Sequence, residues 1–253
     1  MINQVFGKAG YDTGESRPAG AGRTSWVILM QSSIALNFHG IGRPGRALEA
    51  GEERYWIDSA TFRAIIECVA GARGRGGDVL VTFDDGNASD IEIAAPELAR
   101  HGITASFFPL AGRLGAAGSL TAPDLRALRA AGHEIGSHGF DHVDWRRLDD
   151  EGRARELDRA RAALEDATGA AIRSAAVPFG RYDRRVLAAL ARRGYLTVLT
   201  SDGGRFRGAP RLVPRNSVGR DMTAAAVAAM LAAEESAVRR ARRAAAMLAK
   251  RLR

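Results

Sequence analysis

Between residues 33 and about 220, short apolar runs alternate with longer stretches whose apolar residues recur at helical spacing, and this alternation leaves few folds open. The runs fall at 34–38, 79–83, 104–108, around 134–136, and at 175–177, 196–199 and 211–213. Each is short, as strands are when both faces of a sheet are covered. Between them, Phe62, Ile65, Ile66 and Val69 stand at i, i+3, i+4 and i+7, one face of a helix. Val186, Leu187 and Leu190 mark another, opened by Asp183 as N-cap and closed by Gly194. Leu157 and Leu164 mark a third, which ends near Gly169. Seven strands alternating with helices predict a parallel α/β architecture, either an open doubly wound sheet or a closed or nearly closed barrel. In both, chemistry sits at the carboxyl ends of the strands. The unusual polar residues of this chain fall there.

Composition narrows the class further. A chain of 253 residues, 46% apolar and 26% charged, can bury one full-sized core and is not of disordered or collagen-like type. The single cysteine, Cys68, excludes a disulfide framework and a cysteine-based zinc knuckle. No apolar run approaches the roughly 18 residues of a membrane span. The net charge of +8 suggests a nucleic-acid partner, but residues 239–253 hold seven basic residues and no acidic one. The body is therefore nearly neutral, and no nucleic-acid partner is expected.

The two ends read differently from the middle. Residues 1–30 read as a disordered leader, or as an upstream start with Met30 as the true beginning. The apolar stretch 26–30 is too short for a secretory signal, so a cytoplasmic location is expected. Residues 31–221 form the folded domain in this reading. Residues 222–253 form an Ala-rich basic helix, either solvated or in peripheral contact with an anionic membrane surface or polymer.

The run 79–83 leads into Asp84, Asp85 and Gly86. Two adjacent carboxylates after a buried strand are costly to desolvate unless a cation or proton takes up their charge. Alone the motif also fits an acidic turn. The run near Ile135 leads into His138 and His142, which share a face if the turn between them is helical. Together they offer a His, His, Asp set with open coordination positions, as a hydrolytic metal requires. A divalent ion so held lowers the pKa of a bound water from about 15.7 towards about 7. The second carboxylate is then free to accept the water's proton.

The stretch Thr82, Phe83, Asp84, Asp85 and Gly86 resembles the first motif of the polysaccharide deacetylases, the NodB-type enzymes of carbohydrate esterase family 4. His138-Gly139-Phe140-Asp141-His142 is similar to their second motif, at the expected spacing of about fifty residues. Residues 132–136 and 105–108 also fit, and the resemblance covers about residues 33–220. It implies a distorted (β/α)7 barrel of the NodB/polysaccharide deacetylase type. It further implies Asp84 as catalytic base and Asp85, His138 and His142 as metal ligands, with zinc the best match and cobalt, nickel, iron or manganese alternatives.

Two departures follow. The third family motif places an arginine two residues before Pro-aromatic-Gly; here Pro178, Phe179 and Gly180 are present as a groove wall, but Ala176 takes the arginine's position. The family's C-terminal Leu-x-His, a common source of the general acid, corresponds to residues 212–215, and no histidine follows His142. His39, directly after the first strand run, is then the candidate acid or substrate contact, with Asp202 a weaker one. His101 reads as structural, and His133 falls at the wrong end of the strands. Arg215 is expected to contact an anionic sugar, to replace the lost arginine electrostatically, or to form a structural ion pair. The expected activity is removal of acetyl from an N-acetylated carbohydrate in a glycan or glycoconjugate. The alternatives are hydrolysis of another C–N amide bond, as in a small cyclic ureide or imide, and a catalytically silent glycan-binding module.

Overall fold

A computed structural model describes residues 32–75 and 77–253; the expectations for the leader and for Met30 lie outside the described residues. The strands in chain order are β1 (Ser32–Phe38), β2 (Gly40–Ile41), β3 (Trp56–Ile57), β4 (Asp78–Asp85), β5 (Ser106–Pro109) and β6 (Glu134–Ile135). They continue with β7 (Ser174–Ala176), β8 (Thr197–Thr200), β9 (Arg205–Arg207), β10 (Leu212–Pro214) and β11 (Asn216–Ser217). All seven expected strand runs are present, as β1, β4 to β8 and β10. The main ladders are parallel, in the order β11-β1-β4-β5-β6 and β10-β8-β7. The two sheets meet at a parallel bridge between Ser137 and Ala175. They meet again across Arg215, where β10, on β8, passes directly into β11, on β1. The seven positions thus follow one another around a distorted (β/α)7 ring built from two sheets. β9 pairs antiparallel with β1.

The two faces of the strands explain their composition. Phe38, Phe83 and Phe107 are register partners on β1, β4 and β5, and their rings stack at 5.4 and 4.7 Å. Phe62 from the helix Ser59–Gly74 meets Phe38 edge-on at 5.3 Å. Its helical partners Ile65, Ile66 and Val69 are all fully buried, so the periodic face read from the sequence is the face that packs on the sheet. Full burial of one such side chain stabilises by about 1.5–3 kcal/mol. Asp58 opens that helix by accepting from the Thr61 N–H, and Asp183 likewise caps Arg184–Arg192 through the Arg185 and Val186 N–H groups. The other face carries a smaller cluster of Ala35, Phe108, Ala176, Leu199 and Val213. Because side chains alternate along a strand, Asn37 shares this face with Ala35, and Asp84 shares it with Thr82. The polar residues of the site therefore rise from the same side as this small cluster.

The basic C-terminal stretch, read as one helix, is two: Ala224–Ala232 and Ala237–Leu252. The first ends at Ala233 in extended conformation, and Ser236 caps the second by accepting from the Arg239 N–H. A serine so placed favours a new helix start over continuation.

Candidate active site

β4 extends through both aspartates, and they diverge at its end. Asp84 remains in the strand and points onto the inner face. Asp85 has φ 75°, a left-handed conformation costly for a residue with a Cβ. Gly86 continues the turn at φ 70°, where a Cβ would stand 2.6 Å from Pro109 Cβ. The two adjacent carboxylates consequently have different surroundings.

Asp84 is fully engaged. Arg215 Nη1 donates to its Oδ1 at 2.7 Å and Nη2 to its Oδ2 at 2.8 Å, a bidentate pair. Asn37 Nδ2 donates to Oδ2 at 2.9 Å. Arg215 Nη1 also reaches Asn37 Oδ1 at 2.8 Å, and its Nε reaches the Thr200 carbonyl at 3.3 Å. Burial alone would raise the Asp84 carboxyl, but Arg215, His138 and His39 hold it well below the usual carboxylate range. Asp84 is therefore ionised throughout the physiological range.

Asp85 is the opposite case. It is 2% exposed, yet its Oδ1 has no hydrogen-bond partner. Buried polar atoms are rarely left so. Facing this oxygen are His138 Nε2 at 3.6 Å and His142 Nε2 at 3.8 Å, and the three donor atoms lie within 4.8 Å of one another. Two donors on one tetrahedral ion, with bonds of about 2.0–2.1 Å, stand ~3.4 Å apart. The unpaired oxygen and its two imidazole neighbours thus fit a single divalent cation.

The histidines are aimed by their other nitrogens. His138 Nδ1 donates to the Ala176 carbonyl at 2.8 Å, which leaves Nε2 as the free lone pair. Burial, the largest influence, pushes the His138 imidazole below its ordinary pKa against the pull of Asp84 and Asp85, so it is neutral at pH 7. His142 Nδ1 donates to Glu49 Oε2 at 2.9 Å, and Arg113 pairs with Oε1 of the same carboxylate. The turn between the histidines is not helical. Glu156, buried, accepts the N–H groups of Phe140 and Asp141 at 2.9 Å each and folds the segment into a loop. Gly139 allows this at φ 92°, where a Cβ would meet Glu156 Oε2 at 2.5 Å. His142 itself is left-handed at φ 59°, and the two imidazole centroids come within 5.2 Å.

These groups open into one cavity of about 240 Å³. His39, Glu49, Tyr55, Asp84, Asp85, His138, His142, Phe179, Arg181, Ser201 and Ser217 are among its walls. His39 stacks on Tyr55 at 4.6 Å, and its Nδ1 is buried without a partner. Phe179 is half exposed, left-handed at φ 57°, with its ring 4.4 Å from that of His142. Pro178 and Gly180 are buried and shape this turn without lining the cavity. Among the described residues only Asp85, His142 and Phe179 are non-glycine residues at positive φ, and all three stand at this cavity.

Other candidates lie elsewhere. Arg215 is not a substrate contact: it is 0% exposed and absent from the cavity wall, its whole fork being turned onto Asp84. Asp202 is taken up by Tyr182, Thr200 and Lys250. His101 pairs with Glu97, and His133 accepts the Ala105 N–H within the core. Glu49 and Glu156 carry no sequence signal and were not anticipated. Asp90 is buried with both carboxylate oxygens unbonded, and burial together with the Asp85 and Asp84 charges pushes it well above the usual range.

Comparison with known proteins agrees with this geometry. The family model described as polysaccharide deacetylase matches residues 72–198. The Bacillus subtilis protein YxkH is 27% identical over 126 residues, which are 50% of this chain and 45% of YxkH. The match thus spans less than half of that relative's length. Among solved structures, BC0361, a polysaccharide deacetylase from Bacillus cereus, superposes with a TM-score of 0.68 at 20% identity, over 79% of this chain and 69% of its own. IcaB from Ammonifex degensii gives 0.67 at 24% identity, over 80% of this chain and 98% of its own. These two structures share the fold described above.

Proposed function

The chain belongs to the polysaccharide deacetylase family, and from that premise we propose that it hydrolyses the acetamide of an N-acetylated sugar in a glycan or glycoconjugate. The observation that carries the reading is the division of labour between Asp84 and Asp85: one carboxylate locked on Arg215, the other unpaired between two histidines in the same cavity. Asp85, His138 and His142 would hold a divalent ion, zinc best matched to this donor set. When bound it supplies Lewis acidity, polarising the acetamide carbonyl and making hydroxide available near neutral pH.

Asp84 then acts as the general base. Its carboxylate is ionised and cannot rotate, because Arg215 and Asn37 hold both oxygens, and it faces His138 Nε2 at 3.9 Å across the cavity. It accepts the proton of the attacking water as the C–O bond forms. Collapse of the tetrahedral adduct breaks the C–N bond, and the departing nitrogen needs a proton. His39 is the candidate to give it, since its ring lines the cavity against Tyr55. The products are acetate and the free amino sugar.

The proposal is tested by measuring acetate released from a panel of N-acetylated sugars by the zinc-loaded protein, with small cyclic ureides and imides alongside. Release from the sugars is expected. Turnover of the cyclic amides alone, or saturable sugar binding with no release, would overturn it. If His39 is the proton donor, His39→Gln should lower kcat by about 10²–10⁴-fold with little change in KM. An unchanged kcat would take donation away from His39. Glu49→Ala should weaken zinc affinity by about 10–100-fold in a chelator competition, because His142 loses the group that fixes its ring; unaltered affinity would make Glu49 a mere surface contact.

A further inference from the structure

The C-terminal helix Ala237–Leu252 is packed with its apolar side outward. Arg243, Met247 and Lys250 turn toward the body: Arg243 pairs with Glu235, and Lys250 donates to Asp202 at 2.5 Å. Val238, Leu248 and Leu252 face away and are 60%, 52% and 71% exposed. With Ala241 and Ala245, also exposed, they recur at alternating intervals of three and four residues and form one stripe along the helix. At 100° per residue, Arg242 and Arg253 border the stripe on one side and Arg240 and Arg251 on the other. A helix covering a water-soluble surface places its residues the other way round.

We propose that this helix lies in the plane of an anionic membrane surface, with the Val238–Leu248–Leu252 stripe at the acyl boundary and the flanking guanidinium groups among the lipid phosphates. Charge complementarity selects this occupant. No acidic residue follows Glu235, so a second copy of the helix laid on the stripe would bring like charges together with nothing to neutralise them. A soluble polyanion would use the arginines and leave the stripe in water. The neighbouring helix Arg184–Arg192, which packs against this one, carries exposed Arg184, Arg185 and Arg192 of its own. Among the described residues no helix is long and apolar enough to cross a bilayer, so the contact is peripheral. Lys250, on the opposite side of the helix from the stripe, also reaches the Gly180 carbonyl at 3.5 Å and so fastens the helix to the body.

Co-sedimentation of the full chain with vesicles tests this without reference to activity. Binding to phosphatidylcholine vesicles containing phosphatidylglycerol should be at least about tenfold tighter than to phosphatidylcholine alone, and should weaken with salt. The double variant L248Q/L252Q should lose about tenfold or more while its circular dichroism is unchanged, and R240Q/R242Q should lose affinity together with part of the salt dependence. Equal binding to both vesicle types, or none, would overturn the proposal. So would undiminished binding by L248Q/L252Q, which would reduce the surface to a general polyanion site. A change of sedimenting mass in L248Q/L252Q with vesicle binding intact would assign the stripe to a second copy instead.

Discussion

Arg215→Met should destabilise the protein by about 3–5 kcal/mol at pH 7, because it leaves a buried carboxylate without its counter-charge. The wild-type pair is fully enclosed, with both guanidinium nitrogens on Asp84 at 2.7 and 2.8 Å. With the arginine present, the Asp84 carboxyl is depressed, so the pair contributes stability above the unfolded carboxylate pKa of about 3.9 and loses it as pH falls through the native value. Without it, burial governs and raises the carboxyl, so the variant takes up a proton at higher pH. Two consequences can be measured together. The stability gap between wild type and variant in urea should narrow as pH is lowered from 7 towards 4. The acidic limb of the activity profile, which needs Asp84 ionised, should move to higher pH. Arg215→Lys, which keeps the charge and loses the fork, should fall between the two. Neither a narrowing gap nor a displaced limb would be seen if Arg215 only filled space.

His138→Ala should cost both the metal and the rate. The imidazole is fixed through Ala176, nearly buried, and kept neutral by burial, so in the wild type protons compete for it only in acid. Its removal leaves His142 and Asp85 with two of three donors. Zinc content after dialysis should drop well below one per chain, and kcat/KM should fall by at least about 10³-fold, the scale of several kcal/mol of lost charge stabilisation. A variant that keeps full metal content would remove His138 from the ligand set.

What the sequence revealed follows from local physics. Seven short apolar runs and the helix faces between them reflect periods of two and 3.6, which each segment carries within itself. Asp84, Asp85, His138 and His142 stood out because charged and metal-ligating residues directly after buried strands need a reason to be there. What was hidden depends on partners far apart in the chain. Arg215 is 131 residues from Asp84 and Glu49 is 93 from His142, and no local pattern couples them. The arginine missing at Ala176 is answered by one from the strand segment that closes the ring, a substitution in space rather than in sequence. Whether the turn between the histidines is helical was not legible, because its shape is imposed by Glu156, 16 residues beyond Phe140. Left-handed backbone at Asp85, His142 and Phe179 is likewise a tertiary outcome, since every residue type other than glycine pays for it, phenylalanine more than aspartate or histidine.

The most direct test of the central claim compares zinc-loaded wild type with Asp84→Asn, measuring zinc per chain and acetate released from an N-acetylated sugar. Asparagine keeps the size of the side chain and part of its hydrogen bonding to Arg215, but it cannot take a proton from water. Both proteins should bind one zinc, and acetate release should fall by about 10²–10⁴-fold in the variant. A variant that releases acetate at the wild-type rate would contradict the assignment of Asp84 as the base.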